Sequence, residues 1–321
     1  MSNILVTGGA GYIGSITTSE LVKKGYKVIV FDSLENGHRY AVTAKFIEGN
    51  LMKMEDLDKL NGEDIDTVIH FAAYAEAGES MLSPYKYFQN NLQGGLNLLE
   101  FMKNKSIKKI IFSSTCAVYG TPKILPVSEE NEKNPESVYG ESKLMFEKML
   151  KWYDQLFGIK YINLRYFNAA GATTDGKLGE NHKLETHIIP LAIKSALTGL
   201  EFNLYGNDYP TKDGTCIRDY IHVLDLSEGH ILAMDSLNEG KNSNSYNLGT
   251  GKGYSNLEVI NKVKEISGKD FPVKIIPRRA GDPPLIYADN SKAIEGLGFK
   301  PQYSDLETII STAWKWHSQN S

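Results

Sequence analysis

Short apolar runs alternate with longer segments of mixed polarity through the first half of the chain. Asn3-Ile4-Leu5-Val6-Thr7, Tyr26 to Phe31, Lys45 to Asn50, Asp66 to Ala73, Lys109 to Ser113 and Tyr161 to Tyr166 are rich in β-branched and aliphatic residues and predict strands. Between them, Gly14 to Lys24, the more polar Glu55 to Asn61, Pro84 to Lys103 and Tyr139 to Tyr153 predict helices. In the third of these, Tyr87, Leu92, Leu96, Leu99 and Phe101 stand among polar residues and read as a core-facing stripe. Strands and helices in this alternation predict an α/β fold with a doubly wound, mostly parallel sheet.

The pattern changes after Asn168. Gly171 to His187 is polar, glycine-containing and poor in aliphatic residues, which places a lobe boundary there. The expected organisation is a nucleotide-binding domain over 1–170, to which part of 215–240 returns, and a smaller mixed α/β substrate domain over most of 171–321. In the second half His187 to Leu197, Val223 to Leu237, Leu257 to Ser267 and Leu306 to Trp316 predict helices, and Asn207 to Asp219 and Pro277 to Pro284 predict loops. Thr121 to Pro135, rich in proline and charge, reads as a surface excursion.

Composition narrows the function. The 321 residues carry 35 Lys and Arg against 39 Asp and Glu, a formal charge of -4, which gives no reason to expect nucleic acid as a partner. Cys116 and Cys216 lie far apart and form no metal-ligand cluster, so reduced thiols are expected, with neither disulfide nor metal. No signal core is seen and no apolar run approaches the ~18 residues of a membrane span. The expectation is a soluble cytoplasmic protein.

The chemistry begins at the first strand. It runs into Gly8-Gly9-Ala10-Gly11-Tyr12-Ile13-Gly14, where glycines let the backbone turn under a pyrophosphate and the next helix presents its N-terminal amides. Asp32 follows Gly11 by 21 residues, at the end of the second strand, where a carboxylate holds ribose hydroxyls and repels a 2′-phosphate. This favours NAD over NADP and predicts a Rossmann sheet. The fifth strand delivers Ser114, Thr115 and Cys116 at its C-terminal end, where open α/β sheets bind ligands. Tyr139 and Lys143, four residues apart, share one helix face. An ammonium near a phenol favours the phenolate, so the tyrosine pKa is expected to fall toward the range of a useful base, with the Thr115 hydroxyl beside it. An isolated Tyr-x-x-x-Lys would more often be a helix start and a solvated lysine; the upstream dinucleotide loop favours the catalytic reading.

With these residues in place the chain resembles the extended short-chain dehydrogenase/reductase family, and within it the UDP-glucose 4-epimerases. The resemblance runs from Val6 to Gly14 through Phe112 to Gly120, Tyr139 to Lys143 and Leu164 to Asn168. It continues in Gly206 to Thr211, Arg218 to Val223, Tyr246 to Gly249 and Pro277 to Arg279. It implies reversible C4′ epimerisation of UDP-galactose and UDP-glucose through a transient 4-keto sugar, with Thr115, Tyr139 and Lys143 catalytic and NAD recycled. The implied cofactor contacts are Gly8, Gly11, Tyr12, Ile13, Gly14, Asp32, Ser33, Asn50, Leu51, Phe71, Ala72, Ala73, Asn90, Ser113 and Tyr166, with Tyr139 and Lys143. The implied UDP-sugar contacts are Thr115, Tyr139, Asn168, His187, Ile188, Tyr205, Arg218, Arg279 and Asp282; the two arginines meet the diphosphate, Asp282 the uridine ribose and Tyr205 the uracil. A homodimer through the helices carrying Leu96 and Met149 is implied as well. Three departures stand out: Ala75 where the family often has a cofactor-holding lysine, Asn50 for an aspartate, and Thr115 for a serine. Ile286 is intermediate in bulk at a position that governs acceptance of N-acetylated sugars, so related UDP-N-acetylglucosamine, uronate or pentose epimerases stay open. So does a lower-ranked non-catalytic nucleotide-sugar-binding regulator, although Tyr139 and Lys143 are both present.

Overall fold

The computed structural model describes residues 2–279 and 283–320. Its thirteen strands are β1 Asn3–Thr7, β2 Lys27–Asp32, β3 Lys45–Glu48, β4 Thr67–His70, β5 Lys109–Thr115, β6 Lys160–Tyr166, β7 Asn168–Ala170, β8 Phe202–Tyr205, β9 Ile217–His222, β10 Asn244–Leu248, β11 Gly253–Ser255, β12 Val273–Ile276 and β13 Leu285–Ile286. Seven of them form one sheet in the order β10-β6-β5-β4-β1-β2-β3, and each neighbouring pair is parallel.

Alternation along the strands builds a core on each face. Ile4 and Val6 join Val28, Ile69 and Ile111 beneath the helix Val223–Asn238, which contributes Leu226, Ile231, Met234 and Leu237. Leu5 points the other way, with Ile29, Val68, Ile110 and Phe112, toward Leu98, Met102, Phe146 and Leu150 from the helices Gly94–Asn104 and Val138–Phe157. The order reverses between β1 and β4, which makes their C-terminal ends the switch point where such sheets bind ligands.

Three elements depart from the sequence expectation. The predicted helix Pro84 to Lys103 is broken by a wider turn at Gln89–Gln93, which carries the buried Asn91. The predicted loop Asn207 to Asp219 ends inside β9, because the charged pair Arg218-Asp219 hides a strand whose following residues are buried. The return of the chain to the first sheet continues past 240 into β10, where asparagines and a serine mask the strand pattern.

The smaller lobe pairs β9 with β7, β11 and β13, and β8 with β12. Its core is helical: Ile189, Ala192, Ile193 and Ala196 repeat at helical spacing and meet Val259, Ile260, Val263, Ile309 and Ile310. Among the described residues no helix is long and apolar enough to cross a membrane, and both cysteines are free thiols.

Candidate active site

Packing demands glycine at Gly8, Gly9 and Gly14 of the turn and leaves Gly11 open. Gly8 has φ +75°, and a Cβ there would lie 2.5 Å from the Ala72 backbone nitrogen, so the ends of β1 and β4 can approach only over a glycine. A Cβ at Gly14 would lie 2.2 Å from the Gly8 carbonyl oxygen, yet at Gly11 it would meet only that oxygen, at 3.5 Å. Gly11 is thus a glycine that packing does not demand and that a closely approaching ligand would. It is also the N-cap of the helix Tyr12–Lys23 and makes no side-chain cap bond, leaving amides of the first turn for an anion.

Asp32 holds this turn in place. Its carboxylate accepts from Ala10 N at 3.0 Å and Leu34 N at 2.8 Å. Burial pushes its pKa up while those two amides oppose the rise. Ser33 is exposed and caps Glu35 N at 3.4 Å. Asn50 and Asn90 line one cleft of about 330 Å³ with Glu35, Met52, Tyr74, Tyr85, Lys86 and Gln89. Lys86 matters because Ala75 supplies no cation: its Nζ sits 4.2 Å from the Tyr74 ring centroid and 2.8 Å from Glu79. Leu51 is buried, and its carbonyl accepts from Asn97 Nδ2 at 2.8 Å. Tyr12 and Ile13 pack beneath the loop, with the Tyr12 hydroxyl donating to the Gly171 carbonyl at 2.5 Å. The Phe71 ring lies 4.6 Å from that of His230, and Ala72 and Ala73 are half-buried beside it.

Thr115 and Tyr139 come close because the helix Val138–Phe157 starts hard against the end of β5. Ser137 caps that helix through Gly140 N at 3.1 Å, and a Cβ on Gly140 would come within 2.6 Å of the Ala117 carbonyl oxygen. Thr115 accepts from Ala117 N at 3.1 Å, and its hydroxyl faces the Tyr139 phenol closely enough to act on its pKa. One turn on, Lys143 Nζ donates to the Ser113 carbonyl at 2.7 Å; it lies 4.8 Å from the Phe112 ring centroid and 5.9 Å from that of Tyr139. The Ser113 hydroxyl bonds that of Tyr166, whose pKa burial raises.

The expected fall in the Tyr139 pKa is not found in the protein alone. Burial pushes it well above the usual phenol range, and the neighbouring Thr115 hydroxyl only partly offsets this. Lys143 moves instead: burial lowers it to about 7, against the pull of Glu147. The reason is geometric, since the Lys143 ammonium bonds a carbonyl and not the phenol.

Beneath this pair lies a network that the sequence reading missed. Glu147 accepts from Arg165 Nε at 2.9 Å and Nη2 at 2.6 Å, and from the Ser114 hydroxyl at 2.6 Å. Arg165 Nη1 reaches the Tyr119 hydroxyl at 3.0 Å, which donates to Asn247 Oδ1 at 2.7 Å. The available signal was spacing, for Glu147 follows Lys143 by one helical turn.

On the substrate-lobe side, Asn168 Nδ2 donates to the Asp219 carbonyl at 3.0 Å. Arg218 Nη1 donates to the carbonyls of Ile217 and Pro283, at 2.9 and 2.7 Å. The Asp219 carboxylate is engaged by Thr250, Gly251 and Ala288. Cys116 couples the two halves: burial pushes its thiol up to about 12, opposed by Arg218, and Cys116 in turn acts on Tyr139. Arg279 lies over the Tyr205 ring at 4.0 Å, while its neighbour Arg278 pairs with Asp208 at 2.7 Å. His187 bonds Glu180 through Nδ1, and Ile188 opens the helix Ile188–Thr198. The remaining expected contact, Asp282, lies outside the described residues.

Comparison with known proteins agrees with this geometry. The profile of the NAD dependent epimerase/dehydratase family matches residues 4–249. The UDP-glucose 4-epimerase of Lacticaseibacillus casei is 48% identical over 323 residues, covering 99% of this chain and 97% of that protein. The crystal structure of UDP-glucose 4-epimerase from Brucella ovis in complex with NAD superposes with TM-score 0.95 at 46% identity, over 97% of each chain. That of the Bifidobacterium longum enzyme in complex with NAD+ and UDP gives 0.93 at 40% identity, over 99% of each. This chain belongs to the NAD-dependent epimerase/dehydratase family, in its UDP-glucose 4-epimerase branch.

Proposed function

We propose that this protein interconverts UDP-galactose and UDP-glucose by inverting C4′ through a transient 4-keto sugar. The observation that carries this reading is the convergence of the Thr115 hydroxyl, at the end of β5, on the Tyr139 phenol, with Lys143 one turn below. The switch point fits NAD: Gly11 is open where packing does not need a glycine, the helix behind it presents uncapped amides, and Asp32 is fixed at the end of β2. Gly11, the first-turn amides behind it and Asp32 would hold NAD, which would supply the hydride acceptor and donor for inversion at the sugar C4′. The Tyr139 oxygen takes the 4′-hydroxyl proton and gives it back, with Thr115 completing the path. Positive charge nearby, from Lys143 and the nicotinamide, opposes the burial that holds the phenol protonated.

The other residues position the reactants. The amides after Gly11 hold the cofactor pyrophosphate and Asp32 its adenosine ribose; Asn50, Asn90, Phe71 and Ala72 line its cleft. Arg218 and Arg279 take the substrate diphosphate, for which a guanidinium fork is suited. Asn168, His187 and Ile188 border the sugar, Tyr205 the uracil and Asp282 the uridine ribose. We place the enzyme in the cytoplasm, and infer a homodimer because Leu96, Met145, Trp152 and Leu156 leave apolar surface exposed on the two helices implicated.

Purified protein incubated with UDP-galactose or UDP-N-acetylgalactosamine, without added NAD, tests the assignment. UDP-glucose should form catalytically with no net NADH. Failure to epimerise either sugar would refute the reading, while turnover of the N-acetylated sugar alone would move the substrate class. Light scattering that shows only monomer at assay concentration would remove the dimer.

A further inference from the structure

We propose that Glu180, His182, Glu185 and His187 form a structural site for a first-row divalent cation, zinc being the best fit. The four lie on the segment that leads into the helix Ile188–Thr198, in the order Glu-x-His-x-x-Glu-x-His. The sequence reading looked to cysteine for metal chemistry and expected none; here the donors are imidazole and carboxylate.

One ligand atom from each residue lies within 4.8 Å of all the others. Tetrahedral zinc with nitrogen and oxygen bonds of ~2.0–2.2 Å sets its donors about 3.4 Å apart. Two separations are already close to that, His182 Nδ1 to Glu180 Oε1 at 3.3 Å and His182 Nδ1 to Glu185 Oε2 at 3.5 Å, and a third runs to the other Glu185 oxygen, His187 Nδ1 to Oε1 at 3.7 Å. The fourth, His187 Nδ1 to Glu180, is a direct hydrogen bond that a metal would replace.

A second observation points the same way. His182 Nδ1 is buried and makes no hydrogen bond, although it faces two carboxylates. A cation held between this nitrogen and the two carboxylates would replace those long ion-pair contacts with direct bonds. Charge balance agrees. The side chains of Glu180 and Glu185 are 4% and 17% exposed, and among the described residues no lysine or arginine forms an ion pair with either. One dication would neutralise two carboxylates and two neutral imidazoles, in place of the two imidazolium protons that balance them in its absence.

The donors are held from behind. Glu185 Oε1 accepts from the backbone nitrogens of Thr186 and His187, at 2.8 and 2.7 Å, and the Glu180 carbonyl accepts from Trp316 Nε1 at 3.1 Å. Four protein ligands close the coordination shell, which makes the role structural. Its effect would be felt between the lobes, since Asn181 in the same segment bonds His38 through its carbonyl at 2.8 Å and Tyr40 through Nδ2 at 2.9 Å.

The test is metal analysis of untagged protein as purified, followed by calorimetric titration of chelator-stripped protein with zinc chloride and by the visible spectrum with cobalt(II). One zinc per chain, a tetrahedral cobalt spectrum and a raised melting temperature are expected, with binding at least ~10-fold weaker in His182→Gln. No heat on zinc addition and no shift in melting would overturn the site, as would His182→Gln binding as tightly as the parent. Glu185→Gln serves the same purpose should His182→Gln misfold, and titration of the stripped parent needs neither variant.

Discussion

Two basic side chains are buried at the helix Val138–Phe157, Lys143 on it and Arg165 on β6 against Glu147 one turn further along, and they are kept in different states. Arg165 is 5% exposed and Lys143 is 3% exposed. Burial works against the charge of both. For Arg165 it is outweighed, because the fork meets both oxygens of Glu147 and the Tyr119 hydroxyl, and the guanidinium is held above its ordinary range. Lys143 has one carbonyl and a more distant Glu147, burial wins, and its pKa falls to about 7. Depth alone therefore does not set the charge; the number of charged partners does. The lower cation fixes strand to helix, and the upper one is left able to change protonation near neutral pH, where proton transfer works best.

The strongest way to break this contrast is to remove the partner that makes Arg165 permanent. Glu147→Gln leaves a buried guanidinium without its counter-charge, which costs about 3–5 kcal/mol. Denaturant unfolding should show that loss, and a double variant Glu147→Leu/Arg165→Met should recover most of it, since neither charge is then buried. A single-variant loss below about 1 kcal/mol would mean that Arg165 is solvated and that the two cations do not differ as argued.

A smaller effect tests the upper cation. Lys143 has an unfolded reference of 10.5 and a folded value of about 7. Between these limits the unfolded chain binds the extra proton and the folded chain does not, so stability rises with pH. The advantage is complete above the unfolded value and is lost as pH falls through the folded one, with a slope of about 1.4 kcal/mol per pH unit in the window. Lys143→Met removes that slope. Unfolding free energies of parent and variant, measured without added ligand from pH 7 to pH 10, should therefore converge as pH rises. Parallel curves would show that Lys143 stays charged like Arg165.

The contrast also marks what the chain reveals without coordinates. Gly8 to Gly14, Asp32, Tyr139 and Lys143 were legible because each carries its chemistry in short-range spacing: strand before glycines, acid at the next strand end, two side chains on one helix turn. The Glu147–Arg165 pair was not, since its partners are 18 residues apart and matter only because both are buried. The same reason misled the expectation for Tyr139, whose phenol is governed first by burial and only then by neighbours. β10 was missed because Asn244, Ser245 and Asn247 break the apolar pattern; Asn247 is nevertheless fully buried, its amide donating to Val127 and its carbonyl accepting from Tyr119. Glu180 to His187 reads as a polar loop until folding turns its four side chains toward one point.

The smallest expected change separates backbone from side chain at the top of the contrast. Lys143 is held by the Ser113 carbonyl, while the Ser113 hydroxyl bonds Tyr166. Ser113→Ala keeps the first interaction and deletes the second. It leaves the Tyr166 hydroxyl, buried at 7% exposure, without that partner, at a cost of about 1–3 kcal/mol. The pH slope assigned to Lys143 should be unchanged, because the carbonyl and the burial that set it remain. Unfolding curves of Ser113→Ala at pH 7 and pH 10 should thus be displaced from the parent by the same amount. A displacement that changes between those two pH values would place the Ser113 hydroxyl in control of Lys143, and the upper cation would then depend on a side-chain network as the lower one does.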